Sequence, residues 1–145
     1  MAKIRHIAIA SKDADKTKSY YTEIFGMEVI QKLDTPKYYG YLLTDGYINI
    51  TILGFIEDRY GGGTPGLHHI GFHVEDMDQA GQKVEEAGGW EVKWWNDAHG
   101  NSEGTPDNWV GEKKYTSPEG IALDVNATGW QNRPGGLRGK DGVLE

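Results

Sequence analysis

Two stretches of the chain alternate apolar and polar side chains in the manner of half-buried β-strands. They are residues 4–10 and 68–74. His6 lies on the face opposite Ile7 and Ile9, and His69 lies on the face opposite Ile70 and Phe72. The second stretch carries another histidine, His73, on the same face as His69. Each stretch is therefore predicted to be a strand with imidazoles on one side and an apolar packing surface on the other.

A helix is predicted after each of these strands. Asp13 and Asp76 stand where an N-cap is expected, and Gly26 and Gly88 are natural C-terminal stops. The apolar positions of the first helix are expected to be buried: Tyr20, Tyr21, Ile24 and Phe25.

Three further strands are predicted after each helix. They are 27–33, 38–44 and 47–53 in the first half, and 90–95, 110–116 and 121–127 in the second half. Residues 96–108 are rich in Gly, Asn, Asp and Pro and are predicted to form a loop insertion, and the tail 128–145 is predicted to be irregular. The fold class is α+β: one domain of two βαβββ modules, 3–54 and 67–127.

The two halves are similar in sequence as well as in pattern. With an offset of 63 positions, residues 6–30 and 69–93 share eight identities in 25 positions, including the histidine at the head of each segment. Ordinary composition would give about one or two identities by chance. The chain is therefore interpreted as an internal duplication.

Strand alternation also sorts the polar residues of the two closing strands. The isoleucines of 47–53 and the apolar residues of 121–127 should pack under the helices, which leaves Asn49 and Asp124 on the opposite, concave face with His6, His69 and His73. Imidazole and carboxylate groups on an interior face need a partner, and a divalent cation is one that suits both. The sequence predicts one divalent metal ion, with Zn, Ni, Co, Mn and Fe(II) equally compatible.

Composition excludes several other classes of protein. The net charge is −7 and the pI is about 5.2, so binding to nucleic acid is not expected. No apolar run is long enough for a membrane span, and neither a secretory signal nor a cysteine is present. A cytoplasmic protein without membrane contacts is expected.

The duplicated segments resemble those of the vicinal oxygen chelate superfamily. The motifs are His6-Ile-Ala-Ile, His69-Ile-Gly-Phe-His-Val-Glu-Asp and Ser117-Pro-Glu-Gly-Ile-Ala-Leu-Asp124, and the resemblance covers residues 3–127. It implies a partly open, mixed-sheet half-barrel around a metal and substrate cavity. It also implies a metal bound by His6, His69, Asp124 and Asn49. This chain differs from the family at two of these positions. Asp124 stands where most catalytic members have Glu, and Asn49 stands where they have Glu, Gln or His.

Other candidate residues follow from their expected positions near this site. Asp124, His73 and His99 are candidate acid–base residues. Candidate substrate contacts are Tyr47, Asn49, Trp95 and Trp109, although aromatic residues in strands commonly serve packing alone.

Three functions fit the resemblance. The first is a lyase or isomerase that removes a proton next to a carbonyl and stabilises the enolate with the metal. The second is an extradiol-type ring-cleaving dioxygenase with Fe(II) on two histidines and one carboxylate. The third is a binding protein for a drug or metabolite, without catalysis. A small-molecule substrate and a homodimer are expected for this chain.

Overall fold

A computed structural model describes residues 1–34, 38–55, 64–99 and 111–134. The elements in chain order are β1 (Lys3–Ser11), α1 (Ala14–Phe25), β2 (Glu28–Asp34), β3 (Tyr38–Thr44), β4 (Asn49–Phe55), β5 (Gly66–His73), α2 (Met77–Glu86), β6 (Trp90–Glu91), α3 (Lys93–His99), β7 (Lys113–Thr116) and β8 (Ala122–Asn126). The strands of the mixed sheet follow the order β2-β3-β4-β1 in the first half of the chain and β5-β8-β7-β6 in the second half. The predicted α+β class is confirmed.

Contacts divide the chain into two compact units. Among the described residues, the N-terminal unit comprises 6–34, 38–55, 64–68 and 131–134, and the C-terminal unit comprises 1–5, 69–99 and 111–130. The prediction of a single domain is not tested by this division and stays a prediction.

In the N-terminal unit, helix α1 begins and ends as the sequence predicts. The Asp13 side chain accepts a hydrogen bond from the Lys16 backbone N–H, and Gly26 closes the helix in the left-handed region at φ 66°. Strand β4 runs parallel to β1, with Ile50 and Ile52 beside the isoleucines of β1. The core forms where Ala14 of the helix meets Leu43 and Ile52 of the sheet.

The predicted buried stripe of α1 is wrong for three of its four residues. Tyr20, Ile24 and Phe25 are more than half exposed, whereas Tyr21 is partly buried against the core. Ala14 is the buried residue of this helix. The rings of Tyr20 and Phe25 contact each other and the ring of Tyr21, with centroids 5.5–6.1 Å apart, while the small Ala14 packs against the sheet.

In the C-terminal unit, α2 is capped by Asp76, which accepts a hydrogen bond from the Gln79 backbone N–H. The buried core of this unit joins Met77 of the helix to Val125 of β8 and Tyr115 of β7. Strand β5 is parallel to β8, and β7 is antiparallel to β8. The apolar positions face the helix, as alternation predicts.

The predicted strand 90–95 is wrong beyond its first two residues, because Lys93–His99 forms helix α3. The Asn96 side chain provides a physical reason: its Nδ2 donates to the Lys114 carbonyl at 3.0 Å, and its Oδ1 accepts from the Lys114 N–H at 2.7 Å. The Lys114 carbonyl also accepts from the Val92 backbone N–H at 3.0 Å, so the Asn96 side chain replaces a backbone partner only for the Lys114 N–H. Residues 96–99 are accordingly helical and not loop, and residues 100–108 lie outside the described chain.

Two connecting segments also bear on the site. Residues 127–134 contain no helix or strand. The predicted strand start at Tyr47 is corrected to Asn49, because Asp45 Oδ1 accepts hydrogen bonds from the N–H groups of Tyr47 and Ile48 and holds them in a turn. Within the described ranges, every helix is too short or too polar to cross a membrane.

Candidate metal centre

A buried cluster in the C-terminal unit brings together a carboxylate and an imidazole. Asp124 is fully buried in the middle of β8, directly beside Gly71 of β5. Its Oδ2 lies 3.0 Å from His69 Nε2. Because His69 is two residues before Gly71 and glycine has no side chain, nothing at that position of β5 separates the two groups. Two of the predicted ligands are therefore in contact.

Lys114 is the residue that sequence reasoning missed. Its Nζ lies 2.6 Å from Asp124 Oδ1 and 2.7 Å from Oδ2, and the lysine is 3% exposed. Its ammonium also lies 4.9 Å from the centroid of the Trp95 ring, within the range of a cation–π contact.

The signal for Lys114 was present in the sequence. The turn Ser117-Pro118-Glu119-Gly120 fixes the antiparallel register of β7 and β8, which pairs Thr116 with Ala122 and hence Lys114 with Asp124. Paired residues on neighbouring strands point to the same face. Counting back from the turn would have placed a lysine beside the predicted ligand.

In the N-terminal unit, His6 is held by Asn49. The two residues are register partners on β1 and β4, and His6 Nδ1 lies 2.9 Å from Asn49 Oδ1. The amide orientation is fixed independently, since Asn49 Nδ2 donates to the Gln131 carbonyl at 2.7 Å and Thr51 Oγ1 donates to Oδ1 at 3.2 Å. An amide oxygen only accepts, so His6 Nδ1 donates the proton in this hydrogen bond and Nε2 is the ring atom that could bind a metal.

The segment after β8 holds the Asn49 side chain in place. Besides the Gln131 carbonyl, the Asn132 carbonyl accepts a hydrogen bond from Thr44 Oγ1 at 2.8 Å. Asn126 begins this segment with its Oδ1 accepting from the N–H of Thr128 and from that of Gly129. Residues predicted only as an irregular tail thus support a ring that carries a candidate ligand atom.

His73 has a different environment from the other two histidines. Its Nε2 lies 3.1 Å from the Ala127 carbonyl, so Nε2 donates and Nδ1 holds the lone pair. Nδ1 is buried and has no hydrogen-bond partner within the described residues. Burial lowers the pKa of His73 below its usual 6.5, with a smaller contribution in the same direction from Arg5, while the bond to Ala127 opposes the shift.

The remaining candidates are distributed around the fold. Tyr47 is partly exposed in the turn before β4, and Trp95 is half-buried on α3 against Lys114. His99 ends α3, and its side chain lies outside what the structure describes. Trp109 also lies outside the described residues.

Each unit buries groups that could bind a metal ion. The C-terminal unit brings His69 and Asp124 into contact, and the N-terminal unit buries the ring of His6. The donor set of two imidazoles and one carboxylate suits a first-row divalent metal. The Asn49 contact fits as well, because a metal-bound histidine usually donates its second ring N–H to an oxygen acceptor.

Comparisons with known proteins agree with this picture. A family model described as Glyoxalase/Bleomycin resistance protein/Dioxygenase superfamily matches residues 3–123. The chain is 32% identical over 91 residues to the uncharacterized protein YwkD of Bacillus subtilis (strain 168), covering 59% of this chain and 71% of that protein.

Two solved structures have a similar fold. The hypothetical protein BH1468 of Bacillus halodurans C-125 is 19% identical with a TM-score of 0.66, covering 91% of this chain and 98% of that one. A methylmalonyl-CoA epimerase, in complex with methylmalonyl-CoA and NH4+, is 20% identical with a TM-score of 0.61, covering 86% of this chain and 93% of the epimerase. These identities support the fold and leave the reaction to the site.

Proposed function

Because this chain belongs to the Glyoxalase/Bleomycin resistance protein/Dioxygenase superfamily, we propose that it is a metal-dependent enzyme acting on a small molecule. The observation that carries the proposal is the buried contact between His69 Nε2 and Asp124 Oδ2 at 3.0 Å, to which we add the buried His6 as the predicted third ligand. His6 would bind through Nε2, since Asn49 holds its Nδ1 as a donor. Asn49 would then orient a ligand and not coordinate the ion itself.

The reaction we propose is a lyase or isomerase reaction that begins with proton removal next to a carbonyl. A divalent ion at such a site supplies Lewis-acid stabilisation of negative charge on the carbonyl oxygen. The fold similarity to methylmalonyl-CoA epimerase supports this class, because epimerisation beside a thioester carbonyl removes and returns such a proton. The substrate would be a small acyl or carbonyl compound.

His73 is the base that the geometry supports best. Its Nδ1 lone pair has no partner among the described residues, and its lowered pKa keeps the ring neutral at pH 7. Asp124 fits the role of base less well, because both of its oxygens contact Lys114 and one also contacts His69. We therefore assign Asp124 as a ligand, and His99 stays a prediction.

The experiment that tests the function begins with the purified protein and the identity of its metal. We expect close to one equivalent of Zn, Ni, Co or Mn, together with exchange of the α-proton of an acyl thioester or a hemithioacetal for deuterium in heavy water. NMR would follow the exchange, with the His6→Ala variant as the control that loses it. A protein that binds no metal and still retains a small ligand would contradict the enzyme and favour a binding protein.

One observation favours a second function, the extradiol-type dioxygenase. The predicted ligands, two histidines and one carboxylate with His69 and Asp124 in contact, are the ligand set of non-haem Fe(II) oxygenases. The same purified protein distinguishes the two functions: bound iron with oxygen uptake on addition of a catechol would support the dioxygenase, and proton exchange without oxygen uptake would support the isomerase or lyase. The expected homodimer stays a prediction that analytical ultracentrifugation would test.

Replacement of His73 should separate catalysis from metal binding. We expect His73→Gln to lower kcat by about 10²–10⁴-fold, because a side chain that no longer accepts a proton replaces the general base. The metal content should be unchanged. In the wild type, activity requires the neutral ring, so activity falls as the pH drops through a pKa below 6.5. That acidic limb should be absent from the variant's residual activity.

The matched control for this variant is His68→Gln, one residue before His69 on β5 and on the opposite face of the strand. It should retain the wild-type kcat and pH profile. If His73→Gln kept full kcat, or if it lost metal as well, His73 would not be the base.

A further inference from the structure

The proposed metal ligand Asp124 already has a cation beside it, the ammonium group of Lys114. An ammonium contacts both oxygens of a carboxylate that is completely buried, at 2.6 and 2.7 Å. Both partners are almost inaccessible to solvent, with side-chain exposures of 4% and 0%. Water therefore screens this interaction very little. The lysine contacts both carboxylate oxygens of Asp124 and compensates their negative charge.

The surroundings of Lys114 hold its Nζ at this position. The backbone N–H and carbonyl of the residue are bound by the Asn96 side chain, and the ring of Trp95 lies beside the ammonium. Helix α3, which carries both of those residues, therefore fixes the lysine from its backbone to its charged end. Moving the ammonium away from the carboxylate would disturb these contacts and would therefore cost free energy.

We infer that Lys114 is a tethered cation that competes with the divalent ion for Asp124 and so lowers the metal affinity of the site. This inference rests on the proposed function, since it takes Asp124 to be a metal ligand. Without the ion, Lys114 and His69 together satisfy the buried carboxylate. With the ion, Lys114 gives up at least one carboxylate oxygen and its positive charge remains within a few ångströms of the metal, where repulsion opposes binding.

The inference predicts that removing the charge of Lys114 strengthens metal binding. We expect Lys114→Gln, which keeps an N–H donor near Asp124 but carries no charge, to bind Zn²⁺ or Mn²⁺ at least about tenfold more tightly than the wild type. The measurement is a calorimetric titration of the metal-free protein with each ion alone, at one fixed pH. Lys114→Met, which lacks the donor as well, should show a gain of the same sign.

Lys113→Gln is the matched control. Lys113 is the neighbouring residue on β7, and its Nζ pairs with the exposed Asp78 at 2.7 Å, on the other face of the strand. Its replacement should leave the metal affinity unchanged. Circular dichroism of each metal-free variant, together with its thermal midpoint, establishes that the variants compared are folded.

The possible outcomes separate this inference from the proposed function. If the wild type binds one ion and His69→Ala loses it, the metal site stands; equal or weaker binding by Lys114→Gln would then overturn only the role of Lys114. If neither the wild type nor Lys114→Gln binds an ion, the metal site fails and the competition fails with it. Tighter binding by both Lys114 variants, with no change in Lys113→Gln, would support the inference.

Discussion

Asp124→Asn is expected to lower the free energy of unfolding of the metal-free protein by about 3–5 kcal/mol, because it leaves the buried ammonium of Lys114 without its counter-charge. Asparagine has nearly the same shape as aspartate, so the loss would come from charge and not from packing. Equilibrium urea unfolding followed by circular dichroism would measure it. Metal binding should be lost in the same variant, because a neutral amide is a much poorer ligand.

A double replacement provides the control. Asp124→Asn combined with Lys114→Met removes both charges, and it should recover most of the stability lost by Asp124→Asn while leaving metal binding abolished. If the single variant were as stable as the wild type, or if the double variant were no more stable than the single one, the ion pair would not be what makes Asp124 necessary to the fold.

The fold was predictable because strand alternation and helix capping are local patterns, and the duplication repeats them in both halves of the chain. The N-caps at Asp13 and Asp76, the stop at Gly26 and the burial of Ile52 all follow from patterns within a few residues. The contact between His69 and Asp124 follows from the same alternation, and the addition of His6 to that pair rests on the resemblance to the superfamily and stays a prediction.

The features that were missed depend on contacts between distant segments. Helix α3 owes its place to Asn96, whose amide binds the backbone of a residue 18 positions away. Ala14, and not the predicted apolar stripe with Ile24 and Phe25, is the residue of α1 that packs against Leu43 and Ile52 of the sheet. Lys114 could have been located by counting the register of β7 and β8, but its contact with both oxygens of Asp124 depends on side-chain conformation, which no pattern in the sequence encodes.

Contacts between distant segments hold the candidate ligands in two different ways. His6 is oriented by Asn49, which the segment after β8 holds in place, whereas Asp124 is balanced by Lys114. The first kind of support fixes the direction of a lone pair, and the second fixes the charge of the site. A change at Asn49 should therefore act on metal affinity, and a change at Asp124 should act on both affinity and stability.

Removal of the metal should destabilise the wild-type protein and leave His69→Ala unaffected. An ion that binds only the folded state, at a free concentration 100 times its Kd, stabilises that state by about 2.7 kcal/mol, which corresponds to a rise in Tm of roughly 5–10 °C. Addition of a chelator should abolish this difference, as differential scanning calorimetry would measure. His69→Ala should stay folded, because Lys114 still balances Asp124, and its Tm should not respond to metal or chelator. The Tm of Asn49→Ala should rise with metal, but by less than that of the wild type. Its metal affinity should be about 10–100-fold weaker, since the ring of His6 loses its hydrogen-bond acceptor. A Tm of His69→Ala that rose with metal as much as that of the wild type would mean that the ion binds elsewhere on the chain.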